Sequence, residues 1–240
     1  TSVVRFVRRL GYDRVNQLRA DVQREAARER FAAESLTEVS GDISRDDTID
    51  DVIAKVSLAE TLSISDTAKT LDPDAVARTV TAMRAARRID VFGVGASSMV
   101  AVDLQQKLNR IGRTAFGWHD AHSAWTAAAT LDDACVAVAI SHSGATTDTI
   151  DYLALARESG ATTIALTNHA SAPLTRHADI VLTTAARETG FRSGALGSRI
   201  AQLMVVDCVF IGVAQADYDR STAAIRATYD AVQRLRTRGA

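Results

Sequence analysis

Between Ile89 and Thr184, short apolar runs alternate with longer amphipathic stretches, and this alternation restricts the fold more than any other feature of the chain. The runs are Ile89 to Gly93, Arg113 to Gly117, Ala134 to Ile140, Thr162 to Thr167 and Ile180 to Thr184, and the third contains no polar residue at all. A strand that is apolar on both sides has to be covered on both sides. Strands separated by helical segments of about 10–15 residues pair in parallel. The spacing predicts helices over Ser97 to Ile111, Ala121 to Ala129 and Thr147 to Ser159, with a helical turn at Pro173 to His177. The expected class is α/β: a five-stranded parallel sheet flanked by helices.

Helical periodicity continues on either side of this block. Ile49, Val52, Ile53, Val56, Leu58, Leu62 and Ile64 mark a helix within Thr48 to Leu71. Asp72 followed by Pro73 reads as an N-cap and first helical residue, opening a helix that ends near Arg87-Arg88. Gly194 to Asp217 reads as one long apolar helix and Tyr218 to Arg236 as a last one. At the start, Thr1-Ser2 caps a short helix that Gly11 breaks, and a second helical segment runs on to about Leu36. The polar stretch 40–47 is the best linker, so residues 1–40 and 41–240 are expected to be separate domains. With aromatics at 5% of a chain that is 47% apolar, small aliphatic side chains must do most of the packing.

No continuous apolar run reaches the ~20 residues that a bilayer span needs, and no signal-peptide pattern opens the chain, so a cytoplasmic protein without a membrane partner is expected. Cys135 and Cys208 both lie in apolar runs and read as buried free thiols in a reducing compartment. The histidines lack zinc-ligand spacing, and neither a metal nor another cofactor is expected. The net charge of −1 is unevenly spread, since residues 1–30 hold eight arginines against four acids. This basic start is either an arm that faces nucleic acid or the solvated surface of an arginine-rich helix.

Two loops carry the chemistry. After the strand Ala134 to Ile140 comes Ser141-His142-Ser143-Gly144-Ala145-Thr146-Thr147, small hydroxyl residues around one glycine, and then a helix. Unpaired backbone N–H groups and the positive end of the helix dipole favour an anion there, and hydroxyls supply further donors. The loop has no Lys or Arg, so a phosphate would be met by backbone dipoles and hydroxyls. The second loop, Gly93-Val94-Gly95-Ala96-Ser97-Ser98, follows the first strand of the block. A dinucleotide fingerprint would have a third glycine where Ser98 stands and an acidic residue ending the next strand, where Gly117-Trp118-His119 stands instead. Two such loops at the carboxyl edge of one parallel sheet point to a phosphorylated small molecule.

The paired motifs Gly93-x-Gly95-x-Ser97-Ser98 and Ser141-x-Ser143-Gly144-x-Thr146 resemble those of the sugar isomerase (SIS) domain, over roughly Leu71 to Asp217. Val3 to Tyr12, His119 to His122 and Arg187 to Leu203 are similar to the corresponding stretches of RpiR-type bacterial regulators. The resemblance implies a SIS sandwich with a short all-α remnant of a helix-turn-helix domain in front of it, further helices of that unit being expected before Thr1. It also implies a homodimer or homotetramer whose binding to a double-stranded DNA operator responds to a sugar phosphate. Carried over by position, it places Gly95, Ser97 and Ser98 in the first ligand loop and Ser141, Ser143 and Thr146 in the phosphate cradle. His142 either touches the ligand or faces solvent, and Ser98 is either a ligand group or an ordinary turn residue.

Isomerisation would require a positioned base. The candidates are His119, Asp120, His122, His142 and Glu188, of which Glu188 is the best placed. Its other roles are to bind a sugar hydroxyl or to pair with Arg192 or a neighbouring subunit's arginine, and a binding role is expected, with no catalytic residue. Arg5, Arg8 and Arg9 would contact DNA phosphates, with Thr1 and Ser2 on the same opening helix. The expected function is thus a DNA-binding regulator of carbohydrate metabolism genes, not an enzyme. The alternatives are a phosphosugar isomerase and a sugar-phosphate-binding regulator of a partner protein.

Overall fold

The computed structural model of the chain describes residues 43–186 and 195–237, together with Val15. The chain divides into two compact units, Thr1–Leu58 and Ala59–Ala240. Apart from Val15, the residues of the helices expected over 1–40 lie outside the described residues. The helix α1 (Ile49–Thr70), within which the boundary between the units falls, starts on a reciprocal cap. The Thr48 N–H donates to Asp51 Oδ2 at 2.9 Å, and the Asp51 N–H donates to Thr48 Oγ1 at 3.2 Å. The Thr48 hydroxyl and then its N–H, both donating to Asp51 Oδ2, hold the Asp51 carboxyl below its ordinary pKa.

The second unit contains the sheet. Its elements follow in the order α2 (Pro73–Ala85), β1 (Arg88–Gly93), α3 (Ala96–Arg110), β2 (Ala115–Trp118), α4 (Ala121–Ala128), β3 (Cys135–Ile140), α5 (Thr147–Glu158), β4 (Thr162–Thr167), a 3₁₀ turn (Pro173–His177), β5 (Ile180–Thr183), α6 (Leu196–Ala216) and α7 (Tyr218–Thr237). All strand pairs are parallel and the spatial order is β2-β1-β3-β4-β5. The expected five-stranded parallel sheet is therefore present.

The side chains of β3 show how the two faces differ. Val136, Val138 and Ile140 pack on one face with Ile164 and Leu166 of β4, Leu104 of α3, Met83 of α2, and Val205 and Val209 of α6. Cys135, Ala137 and Ala139 pack on the other with Ala165, Ala124, Ala128, Leu153 and Tyr152. Branched aliphatics thus fill the face under α2, α3 and α6, while alanines let α4 and α5 approach the other closely. The bulk there comes from Phe92 and Tyr152, whose rings lie 5.3 Å apart. The helix α6 is long and apolar enough to match a membrane span by composition, but Val205, Val206, Val209 and Val213 lie in the sheet core.

Three sequence expectations shift. The helix α2 stops at Ala85, because the Arg87 N–H already bonds to Ala134 O and draws the chain into the sheet. The second strand starts at Ala115, since the Arg113 N–H caps α3 through Leu108 O while its guanidinium is buried against Asp217, 2.9 Å away. Cys208, expected to be buried, is exposed, whereas Cys135 is buried. The face of α6 that packs on the sheet carries residues 201, 202, 205, 206, 209 and 213, and Cys208 lies off that stripe.

Candidate functional site

The strand order reverses direction between β1 and β3, the place where open α/β sheets leave a crevice at their carboxyl ends. Gly93 and Ile140, the last residues of those strands, are register partners. The loops 94–95 and 141–146 therefore leave the sheet side by side. Each leads into a helix whose first N–H groups have no partner within the helix, α3 on one face and α5 on the other. A Cβ on Gly93 would lie 2.8 Å from Ser97 O and 3.0 Å from Ile140 O, so the close approach of α3 to the sheet depends on glycine there.

The 141–146 loop is fixed from within and from behind. The Gly144 N–H donates to Ser141 Oγ at 3.1 Å, and the Ser141 and Thr146 hydroxyls lie 3.2 Å apart. From behind, Ser141 N bonds to Leu166 O, Asn168 N and Thr167 Oγ1 both donate to His142 O, and Leu174 N bonds to Gly144 O. Gly144 has φ 61°, and a Cβ on it would lie 2.4 Å from Ala172 Cβ and 2.8 Å from Thr167 Oγ1. Ser143 is exposed at the tip, and its Oγ accepts from Ala145 N at 3.2 Å, which leaves its proton available to an external acceptor. Thr146 is the N-cap residue of α5, and its side chain makes no cap hydrogen bond. His142 is half-buried, and its ring meets that of His169 edge-on at 5.9 Å.

In the first loop, Gly95 caps α3 at φ 62°. Ser98 Oγ donates to Gly95 O at 2.6 Å. Ser97 is buried, and its hydroxyl donates at 3.5 Å to Oε1 of Gln202 on α6. Of the residues singled out in the sequence, Gly95, Ser97, Ser98, Ser141, His142, Ser143 and Thr146 thus come together at one sheet edge. Glu188 and the N-terminal group Thr1, Ser2, Arg5, Arg8 and Arg9 lie outside the described residues. Asp120, a candidate acid, is the N-cap of α4 and accepts from Ser123 N at 2.8 Å, which lowers its pKa. His119 and His122 beside it are exposed.

Three residues near this edge escape the sequence reading. Asn168 accepts from Thr184 Oγ1 and Ala186 N and donates to Ala186 O, and Thr67 Oγ1 accepts from Ala185 N. Both hold the chain as it leaves β5 toward residue 188. Gln202 stands behind Ser97. Its signal in the sequence is faint: a lone amide between Ala201 and Leu203 in an apolar helix. Among the described residues no group of three or more His, Cys, Asp or Glu is placed to hold a metal ion. What the site offers is a set of helix-end N–H groups and hydroxyls, matched to an anion with oxygen acceptors.

A family model described as the SIS domain matches residues 82–212, which include both loops. The chain belongs to the SIS domain family. An uncharacterised HTH-type transcriptional regulator of Caldanaerobacter subterraneus is 35% identical to this SIS chain over 218 residues, covering 91% of the chain and 75% of the relative. The Vibrio vulnificus NanR protein complexed with ManNAc-6P aligns with a TM-score of 0.73 at 28% identity, covering 97% of this chain and 80% of NanR. The sugar isomerase domain of an RpiR transcription factor from Sphaerobacter thermophilus aligns with a TM-score of 0.69 at 27% identity, covering 75% of this chain and 98% of that domain. Within the SIS family the chain groups with HTH-type transcriptional regulators.

Proposed function

We propose that this SIS chain is the effector-sensing part of a transcription regulator. A sugar phosphate binds between the loops 94–98 and 141–146, with Gly95, Ser97, Ser98, Ser141, His142, Ser143 and Thr146 lining the site and Glu188 reaching a sugar hydroxyl. The observation that carries this reading is the pair of cation-free hydroxyl loops at the β1–β3 reversal, each feeding a helix N-terminus. Its support from relatives is that NanR carries ManNAc-6P and the curated relative is an HTH-type regulator. In this reading residues 1–40 form a DNA-binding segment and linker, and residues 41–240 the sensing domain. The protein works in the cytoplasm as a homodimer or homotetramer, and Thr1, Ser2, Arg5, Arg8 and Arg9 lie toward the operator. Ligand changes operator affinity by its difference in affinity for two arrangements of the oligomer. The genes under control are those of carbohydrate metabolism, and no turnover of the sugar takes place.

The test is calorimetric titration with hexose 6-phosphates, N-acetylhexosamine 6-phosphates and pentose 5-phosphates. Ser143→Ala and Thr146→Ala should each weaken the best binder by about 1.5–3 kcal/mol, the range for a hydrogen bond to a charged group. Unchanged affinity in both variants removes these loops from the site. Sustained aldose–ketose conversion, followed by NMR, would replace the regulator reading with an isomerase.

A further inference from the structure

Behind the first loop lies an amide that the anion site leaves unused. Gln202 faces the sheet from α6, is 1% exposed, and sits beside Ala201, Val205 and Val206. Its Oε1 accepts from Ser97 at 3.5 Å, the long limit of a hydrogen bond. Its Nε2 is buried and has no partner. An unmade bond at a buried donor carries the full desolvation cost of that group, whereas an apolar side chain of the same shape carries none. Packing alone therefore gives no reason for an amide on this face.

The two ends of an amide are alike in shape and opposite in chemistry. With Oε1 toward Ser97, the serine proton is turned toward the core on a long, weak contact. A half-turn of the amide brings Nε2 to Ser97 Oγ, exchanges an orphaned donor for an orphaned acceptor, the better tolerated of the two, and releases the serine proton toward the loop. We propose that Gln202 is a positioning residue of the site, and that its amide turns over on ligand binding so that Ser97 donates to the phosphate. This rests on the sugar-phosphate reading above, with Ser97 as a ligand group. It makes Ser97 a conditional donor, which explains how a buried serine can serve an anion.

The experiment compares wild type, Gln202→Met, Ser97→Ala and the double variant. Binding is measured by calorimetry with the same panel of sugar phosphates, and unliganded stability by thermal unfolding. Gln202→Met should keep or raise the unliganded melting temperature, since methionine fills the space without an orphaned donor, and should weaken binding about tenfold. The double variant should bind no more weakly than Ser97→Ala alone, because Gln202 acts through Ser97. That coupling decides the matter even if Gln202→Met lowers stability. Wild-type affinity in Gln202→Met, or additive losses in the double variant, overturn the role of Gln202 and leave the site standing. Absence of any phosphate-ester binding by wild type overturns the sugar-phosphate reading and this inference with it.

Discussion

Tyr152 brings a hydroxyl into the alanine-lined face of the core, where no group receives it. Burial, reinforced by the nearby Asp90 carboxylate, pushes its pKa well above the ordinary value. In the unfolded chain the same phenol ionises near pH ~10. Above that pH the native state holds a proton that the unfolded state has lost, so stability falls as pH rises. Tyr152→Phe is therefore expected to flatten the alkaline limb of the stability curve in urea titrations at successive pH values. At neutral pH it should cost less than about 1 kcal/mol, because the deleted hydroxyl is unpartnered. An unchanged alkaline slope would place the titration elsewhere. The same contrast between residue type and environment runs through the site. Ser97 and Ser143 are equivalent on paper, yet one is buried against Gln202 and the other exposed at a loop tip. Adjacent residues of similar polarity carry no signal of burial, which is set by the neighbouring helix. Cys208 is exposed because it lies off the stripe of α6 that packs on the sheet, although its neighbours in the chain are apolar.

The elements themselves were readable, because hydrophobic period and capping chemistry are local. Asp72 caps α2 through the Asp74 N–H, with Pro73 next, as its sequence implies. Boundaries moved where a long-range bond competed with local preference, as at Arg87 and Arg113. The junction of β1 and α3 leaves no room for a side chain, because Gly93 faces two backbone oxygens, neither of which can move without its element. Gly93→Ala should destabilise the chain by about 1–3 kcal/mol, the range for overpacking, as measured by urea unfolding. It should also reduce sugar-phosphate binding, since both loops leave from this junction. A variant that keeps wild-type stability would mean that α3 can shift outward at little cost. Asn168 and Thr67 were missed because each secures a turn far from it in the sequence.

At the scale of the whole molecule, a ligand that binds only the folded state stabilises it by mass action. A sugar phosphate at a hundred times its dissociation constant adds about 2.7 kcal/mol, which for a chain of this size raises the melting temperature by about 5–10 °C. The matching unphosphorylated sugar should give a much smaller shift, because the loops offer their dipoles to an anion. Equal shifts from both sugars would mean that the phosphate is not what the site recognises. Such a screen ranks the sugars directly.

The sequence alone determined the α/β class, the five strands, the two hydroxyl loops and the family, because each rests on short-range periodicity or on a contiguous motif. The tertiary structure decided the order β2-β1-β3-β4-β5, which sets the two loops side by side at its reversal. It also decided which serine faces the crevice and which faces α6. These depend on contacts between residues far apart in the chain, from Gly93 and Ile140 to Ser97 and Gln202, and no local pattern encodes them.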